Sequence, residues 1–291
     1  KLKLKQPIVT ELLKNKPLDS LMKIITQSDD PLLLAQAARL ISKLSNNSDA
    51  ALLLSKLANL RELIQAIRRN IGNEEFLKYA VYLLGNLAIN EELKSQIGIE
   101  GGIQVILQIM DTYPLNEGLN ENCCFALAEL SFSNEVNVSF IVACKGVQLL
   151  LNAMHNHPKS VDLLDHAVSV LCNLCQNNNN NKDLILKLGG AQAIVDTVLN
   201  NFQALEFLQT SFRTLGNLAY DAKSVTAIIK AGGVQGLVAG MTVHNEDMEI
   251  IDIAIRVLSN LAQDATPDNM AIMAQEGAVQ AIVEAAANYT D

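Results

Sequence analysis

Apolar positions along this chain fall three and four residues apart, and no stretch keeps the two-residue alternation of a half-buried strand. Residues 178–221 show the pattern in full. A short apolar-periodic stretch at 182–188 predicts a first helix, and Gly189 and Gly190 break it. Residues 191–199 predict a second helix, with Ile194, Val195 and Val198 on one face. A polar stretch at Asn200 and Asn201 then leads to a long third helix ending near Ala219. Helix starts carry matching signals: Asp30 before Pro31 and Thr266 before Pro267 are each an N-cap followed by proline in the first turn.

The three-helix pattern recurs. LLGNLAIN (83–90), LAELSFSN (127–134), LCNLCQN (171–177), LGNLAYD (215–221) and LSNLAQD (258–264) end successive segments, and ISKLSNN (41–47) is a weaker copy. One aligned column reads Lys43, Asn86, Glu129, Asn173, Asn217, Asn260, at spacings of 43, 43, 44, 44 and 43. A second marker reads Gly102, Gly146, Gly190, Gly233, Gly277, at spacings of 44, 44, 43 and 44. Glycine suits a helix end because it reaches positive φ without strain. Two markers with one period define six complete units, about 5–46, 47–90, 91–133, 134–177, 178–221 and 222–264, and two helices of a seventh over 265–291. A unit of this size cannot bury its own apolar faces, so the units must stack into an all-α solenoid. The chain reads as one repeat domain and as a fragment of a longer one, the seventh unit lacking its third helix.

Composition narrows the function. Of 291 residues, 49% are hydrophobic and 4% aromatic, with no tryptophan, so the interior is filled by aliphatic side chains. Twenty-two Lys and Arg against 31 Asp and Glu give a formal charge of −9, which disfavours nucleic acid and anionic membranes as partners. Five cysteines point away from a disulfide framework and toward a reducing compartment, the cytoplasm, with a membrane-peripheral or nuclear location as alternatives. No uncharged apolar run reaches the roughly 18 residues a membrane span needs. Lys1, Lys3 and Lys5 fall short of a lipid-binding cluster, so membrane association would need a lost anchor or a partner.

The candidates for chemistry fit the repeat better than they fit catalysis. Cys172 and Cys175 form a CxxC, yet Cys172 shares its column with Gly85, Ala128, Gly216 and Ser259, and Cys175 with Ala88, Ser131, Ala219 and Ala262. All are small, so both cysteines read as close-packed fillers, and no second CxxC completes a zinc site. His155, His157 and His166 lie near Asp162 and Asp165, but the first two precede Pro158 in what reads as a loop with solvent-exposed imidazoles. The paired glycines recur at the repeat period and lack the strand and lysine of a phosphate loop. The run 177–181, five asparagines, reads as a solvated connection. Neither a metal, a cofactor nor an enzymatic activity is expected.

The pattern G-[G/A]-x-x-x-[I/L]-V before a variable loop, then A-x-x-[V/L]-L-x-N-L-A, resembles the armadillo repeat, most clearly at 232–238 (GGVQGLV) and 254–262 (AIRVLSNLA). The resemblance implies a right-handed superhelix whose third helices line a concave groove for other proteins. Four and eight residues before the Asn-type column lie further columns on the same face. The first is Arg39, Tyr82, Phe125, Ser169, Arg213, Arg256, and the second is Ala35, Lys78, Glu121, Asp165, Gln209, Asp252. Asn86, Asn173, Asn217 and Asn260 are expected to bond a partner's backbone, because an amide both donates and accepts. Tyr82 and Phe125 are the expected apolar anchors. Glu121, Glu129 and Asp165 form an acidic centre favouring a basic stretch, and Arg213 and Arg256 favour an acidic one. The groove of the nuclear import adaptors resembles W-x-x-x-N, and no tryptophan stands here, so that subtype is excluded. The expected function is a non-enzymatic scaffold or adaptor binding extended segments. The alternatives are a regulator or chaperone of a nucleotide-binding partner, such as a small GTPase or a myosin, and an organelle-anchoring adaptor.

Overall fold

The computed structural model describes residues 17–47, 50, 53, 54, 56 and 59–288. The lysines of the first five residues and most of the first helices expected in units one and two lie outside them. Eighteen helices and no strand occur among the described residues. They are α1 (Pro17–Gln27), α2 (Pro31–Leu44), α3 (Leu60–Arg69), α4 (Glu74–Ala88), α5 (Glu91–Ile99), α6 (Gly102–Thr112), α7 (Glu117–Ser131), α8 (Glu135–Ala143) and α9 (Gly146–Asn156). There follow α10 (Val161–Cys175), α11 (Asn179–Lys187), α12 (Gly190–Asn200), α13 (Leu205–Leu218), α14 (Ala222–Lys230), α15 (Gly233–Val243), α16 (Met248–Gln263), α17 (Pro267–Gln275) and α18 (Ala278–Asn288). The chain divides into two compact units, Lys1–Leu149 and Leu150–Asp291. In the first, the third helices α2, α4 and α7 pack on one another in order, and in the second so do α10, α13 and α16.

First helices such as α5 and α14 have nine residues, too few to persist alone in water. Side-chain caps and stacking hold them. Asn90, Asn134, Asn178, Asp221 and Thr266 each accept a backbone N–H of the first turn. Asp30 caps α2 in the same way, accepting from the amides of Leu32 and Leu33. The asparagine run corrects the expectation of a solvated loop. Asn177 takes a positive φ of 53°, Asn178 caps α11, and Asn179–Asn181 form its first turn. Asn181 is buried and its Nδ2 donates to the carbonyl of Leu174 at 2.8 Å. Asparagine tolerates the left-handed region and caps well, so the run is a connector built from that residue's two local talents.

The glycine column also needs correcting. The left-handed residues are Gly101, Gly189, Gly232 and Gly277, with φ between 84° and 88°, and Lys145, with φ 61°. Gly277 therefore aligns with these, and Ala278 is the residue that aligns with Gly102, Gly146, Gly190 and Gly233. Those four are glycine for a different reason. A Cβ there would lie 2.4–2.6 Å from Cγ2 of Ile97, Ile141, Ile185 or Ile228, each five residues earlier. In the seventh unit the residue five before Ala278 is Met273, which has no γ branch at Cβ. Glycine with isoleucine has become alanine with methionine, and both substitutes are buried.

The core follows the register of the Asn-type column. Leu87, Leu130, Leu174, Leu218 and Leu261, each one residue after it, are all 3% exposed or less, as the period predicts. A second buried column is uniformly small: Ala37, Ala80, Cys123, Ala167, Ser211, Ala254. The edge where second helices end is also tied from unit to unit. Tyr113 Oη donates to the carbonyl of Ile71, Asn201 Nδ2 to that of Pro158, and His244 Nε2 lies against that of Phe202, all at 2.9 Å. His157 occupies the same column and is buried at 8% exposure, so the expected solvent-exposed imidazole there is wrong; His155, in the last turn of α9, is exposed.

Candidate functional site: the third-helix faces

Contacts between four pairs of neighbouring third helices involve residues of the predicted columns. Between α4 and α7, the rings of Tyr82 and Phe125 stack with centroids 5.3 Å apart at 29°. A Cβ at Gly85 would lie 2.5 Å from Cε1 of Phe125, so this glycine gives the ring its place against α4. Between α2 and α4, Asn86 Nδ2 donates to Ser45 Oγ at 2.6 Å, while Tyr82 Oη donates to Asn46 Oδ1 at 2.8 Å. Between α10 and α13, Asn217 Nδ2 donates to Cys172 Sγ at 3.4 Å. Between α13 and α16, Arg213 Nη2 pairs with Glu249 Oε1 at 2.5 Å.

On the first unit's face, Tyr82, Asn86, Phe125 and Glu121 are half-buried. So is Glu129, whose carboxyl burial pushes above the usual range while the charge of Lys94 pulls it back. Arg39 and Lys78 are exposed and Lys43 is half-exposed. On the second unit's face, Asp165, Asn173 and Asn217 are half-buried, and Arg213, Arg256 and Asn260 are exposed. Oδ1 of Asp165 is buried and accepts no hydrogen bond among the described residues. Arg256 Nε pairs with Asp252 Oδ2 at 2.9 Å within α16. Both arginines of this face thus meet a carboxylate of their own chain. The asparagines bind less freely than a bare amide ladder would, since Asn86 and Asn217 already spend a donor on the preceding helix. Asn217 keeps a second N–H, the Asn86 amide also donates to Asn46 Oδ1 at 3.5 Å, and both keep their carbonyl lone pairs.

One column escaped the sequence reading. Eleven residues before the Asn-type position, three helical turns away on the same face, stand Leu32, Glu75, Gly118, Asp162, Glu206 and Glu249. Its acids include the partner of Arg213, and the spacing of three turns was the signal for them.

The cysteines behave as fillers. Cys175 is buried and its Sγ lies 3.2 Å from the carbonyl of Cys172. Burial is the main cause pushing its thiol up to about 12, and Cys124 likewise. At pH 8 a thiol reagent should therefore leave Cys123, Cys124 and Cys175 unlabelled until the chain is denatured. Changing Cys172 and Cys175 together to alanine should alter stability by less than about 1 kcal/mol in urea titration. Prompt labelling of Cys175, or stoichiometric zinc in the purified protein, would overturn this. Among the described residues no group of three or more His, Cys, Asp or Glu side chains is placed to hold a metal, and no single helix is long and apolar enough to cross a membrane.

Residues 30–283 match the family described as the GAC ARM domain. The chain belongs to that family. Its fold is accordingly the all-α armadillo-repeat solenoid that the period implied. An engineered protein of known structure superposes at TM-score 0.79 over 97% of this chain and 66% of its own, at 21% identity. A designed armadillo repeat protein does so at 0.71, over 84% and 99%, at 19% identity. Another, solved in complex with peptide (KR)4, reaches 0.69 over 84% and 99%, at 18% identity. Protein aardvark of Dictyostelium discoideum is 30% identical over 83 residues, which span 27% of this chain and 11% of that protein.

Proposed function

We propose that this ARM-domain chain is a non-enzymatic scaffold whose third-helix faces each receive an extended segment of a partner protein. The observation that carries the reading is the alignment of half-buried aromatic and amide side chains across consecutive third helices, with Tyr82 stacked on Phe125 and Asn86 and Asn217 beside their neighbours. Such a row offers what an extended backbone needs: apolar platforms at intervals and amides that donate and accept whatever the sequence. The peptide held by a designed armadillo repeat protein supports the same use of the fold. Glu129 and Asp165 favour basic residues in the bound segment, while the pairing of Arg213 and Arg256 weakens their pull on acidic ones. We place the protein in a reducing compartment, the cytoplasm, where the buried thiols keep their form.

Selection of peptides from a displayed random library on the full chain tests the reading. Selected peptides should bind Phe125→Ala and Asn217→Ala variants at least about tenfold more weakly, a loss of about 1.4 kcal/mol. If every selected peptide binds both variants as it binds the parent, the binding surface lies elsewhere, with the segments 111–120 and 155–162, where second helices pass into third helices, first in line.

A further inference from the structure

We infer that the third-helix face of the first unit selects a segment of mixed charge, acidic where it crosses α2 and basic where it crosses α7, with an apolar or aromatic residue between them on the Tyr82–Phe125 pair. The inference rests on the peptide-binding reading above and names the chemistry of the partner.

The charges of the two faces differ in one decisive respect. In the second unit, Arg213 and Arg256 are held by Glu249 and Asp252. In the first, Arg39, Lys43 and Lys78 carry no ion pair among the described residues, although all three belong to the face columns. Arg39 and Lys43 stand on α2, so the basic side of the face precedes the aromatic pair; Lys78 belongs to α4, but its Nζ reaches across to α7, 3.5 Å from where a Cβ at Gly118 would lie. Glu129 stands on α7, one turn beyond Phe125, so an acid follows it. Lys94, the cation whose charge acts on that acid, is already bound to Glu91 Oε1 at 2.8 Å and to the carbonyl of Phe132 at 3.0 Å. Burial and the charge of Glu75 push the Tyr79 hydroxyl's pKa up while the charge of Arg39 pulls it down, so Glu75 and Arg39 act oppositely there. Arg39 and Lys43 on α2 and Glu129 on α7 are thus set at opposite ends of one aromatic platform.

Spacing makes the requirement specific. Packed helices lie roughly 10 Å apart, so α2 and α7 are separated by about 20 Å. An extended chain advances about 3.3 Å per residue, so the acidic and basic residues of the partner should be about six apart. Rim charges of this kind chiefly choose the partner and speed encounter.

The test uses the full chain and three short synthetic peptides, blocked at both ends, with a central phenylalanine and charged ends about six residues apart. One has glutamates at one end and arginines at the other, one has glutamates at both, and one has arginines at both. By fluorescence anisotropy at low salt the mixed peptide should bind about three- to tenfold more tightly than either uniform peptide. The Arg39→Glu, Lys43→Glu double variant should reverse the order, so that the arginine peptide binds best. Equal affinities for the three, or an order unchanged by the reversal, would overturn the inference. So would failure of all three while library-selected peptides still depend on Phe125, a result that leaves the underlying reading standing. Independence of the selected peptides from Phe125 and Asn217 would overturn both.

Discussion

Leu218→Ala is expected to destabilise the chain by about 2–5 kcal/mol, the largest effect of any single truncation considered. Leu218 ends α13 and is fully buried, and it shares its register with Leu87, Leu130, Leu174 and Leu261. It follows Asn217, so the rotation of about 100° from one helical residue to the next turns the leucine from the face into the helix packing. Removing its methyl groups leaves a cavity between helices already filled by small residues such as Ser211 and Thr214, which cannot swell to close it. In a repeat stack the loss also falls on the neighbour whose interface the residue serves. Urea titration followed by circular dichroism measures it. A change below about 1 kcal/mol would mean that the register is misassigned.

Gly190→Ala should cost about 1–3 kcal/mol, because the new methyl must enter a space closed by Ile185. A Cβ at 190 would lie 2.4 Å from Ile185 Cγ2 and 2.8 Å from the Ile185 carbonyl oxygen. The seventh unit shows how the chain accommodates alanine: Ala278 follows Met273, which lacks the γ branch. Ile185→Met in the Gly190→Ala background should therefore restore part of the loss. The double-mutant cycle should show a favourable coupling of about 0.5 kcal/mol or more. Strict additivity would show that the glycine is kept for its backbone alone.

The sequence made the repeat legible because the same packing problem is solved six times. The leucine column and the proline-following caps at Asp30 and Thr266 were visible for that reason, since each local choice agrees with the stack. What escaped detection depends on contacts between units. Gly277 was placed one residue out of register because two glycine columns adjoin, one set by positive φ and one by close approach to isoleucine. The asparagine run looked like a loop because composition does not show that Asn178 caps and Asn181 reaches Leu174. His157 looked exposed because nothing local reveals that second-helix ends are buried. At the candidate site the columns themselves were readable at four-residue spacing. Their charge state was not: Arg213 finds Glu249 across 36 residues of chain, on the next third helix. That pairing moves the open basic charge from the second unit to Arg39, Lys43 and Lys78 of the first.

The central claim is that partners lie on the third-helix faces, and photocrosslinking tests it most directly. A photoreactive phenylalanine analogue would replace Phe125 on α7 or, as a control, Ser95 on the first helix α5, which is also exposed to solvent. A library-selected peptide bound to the full chain should be captured from position 125 and not from position 95. Capture from 95 without capture from 125 would contradict the account.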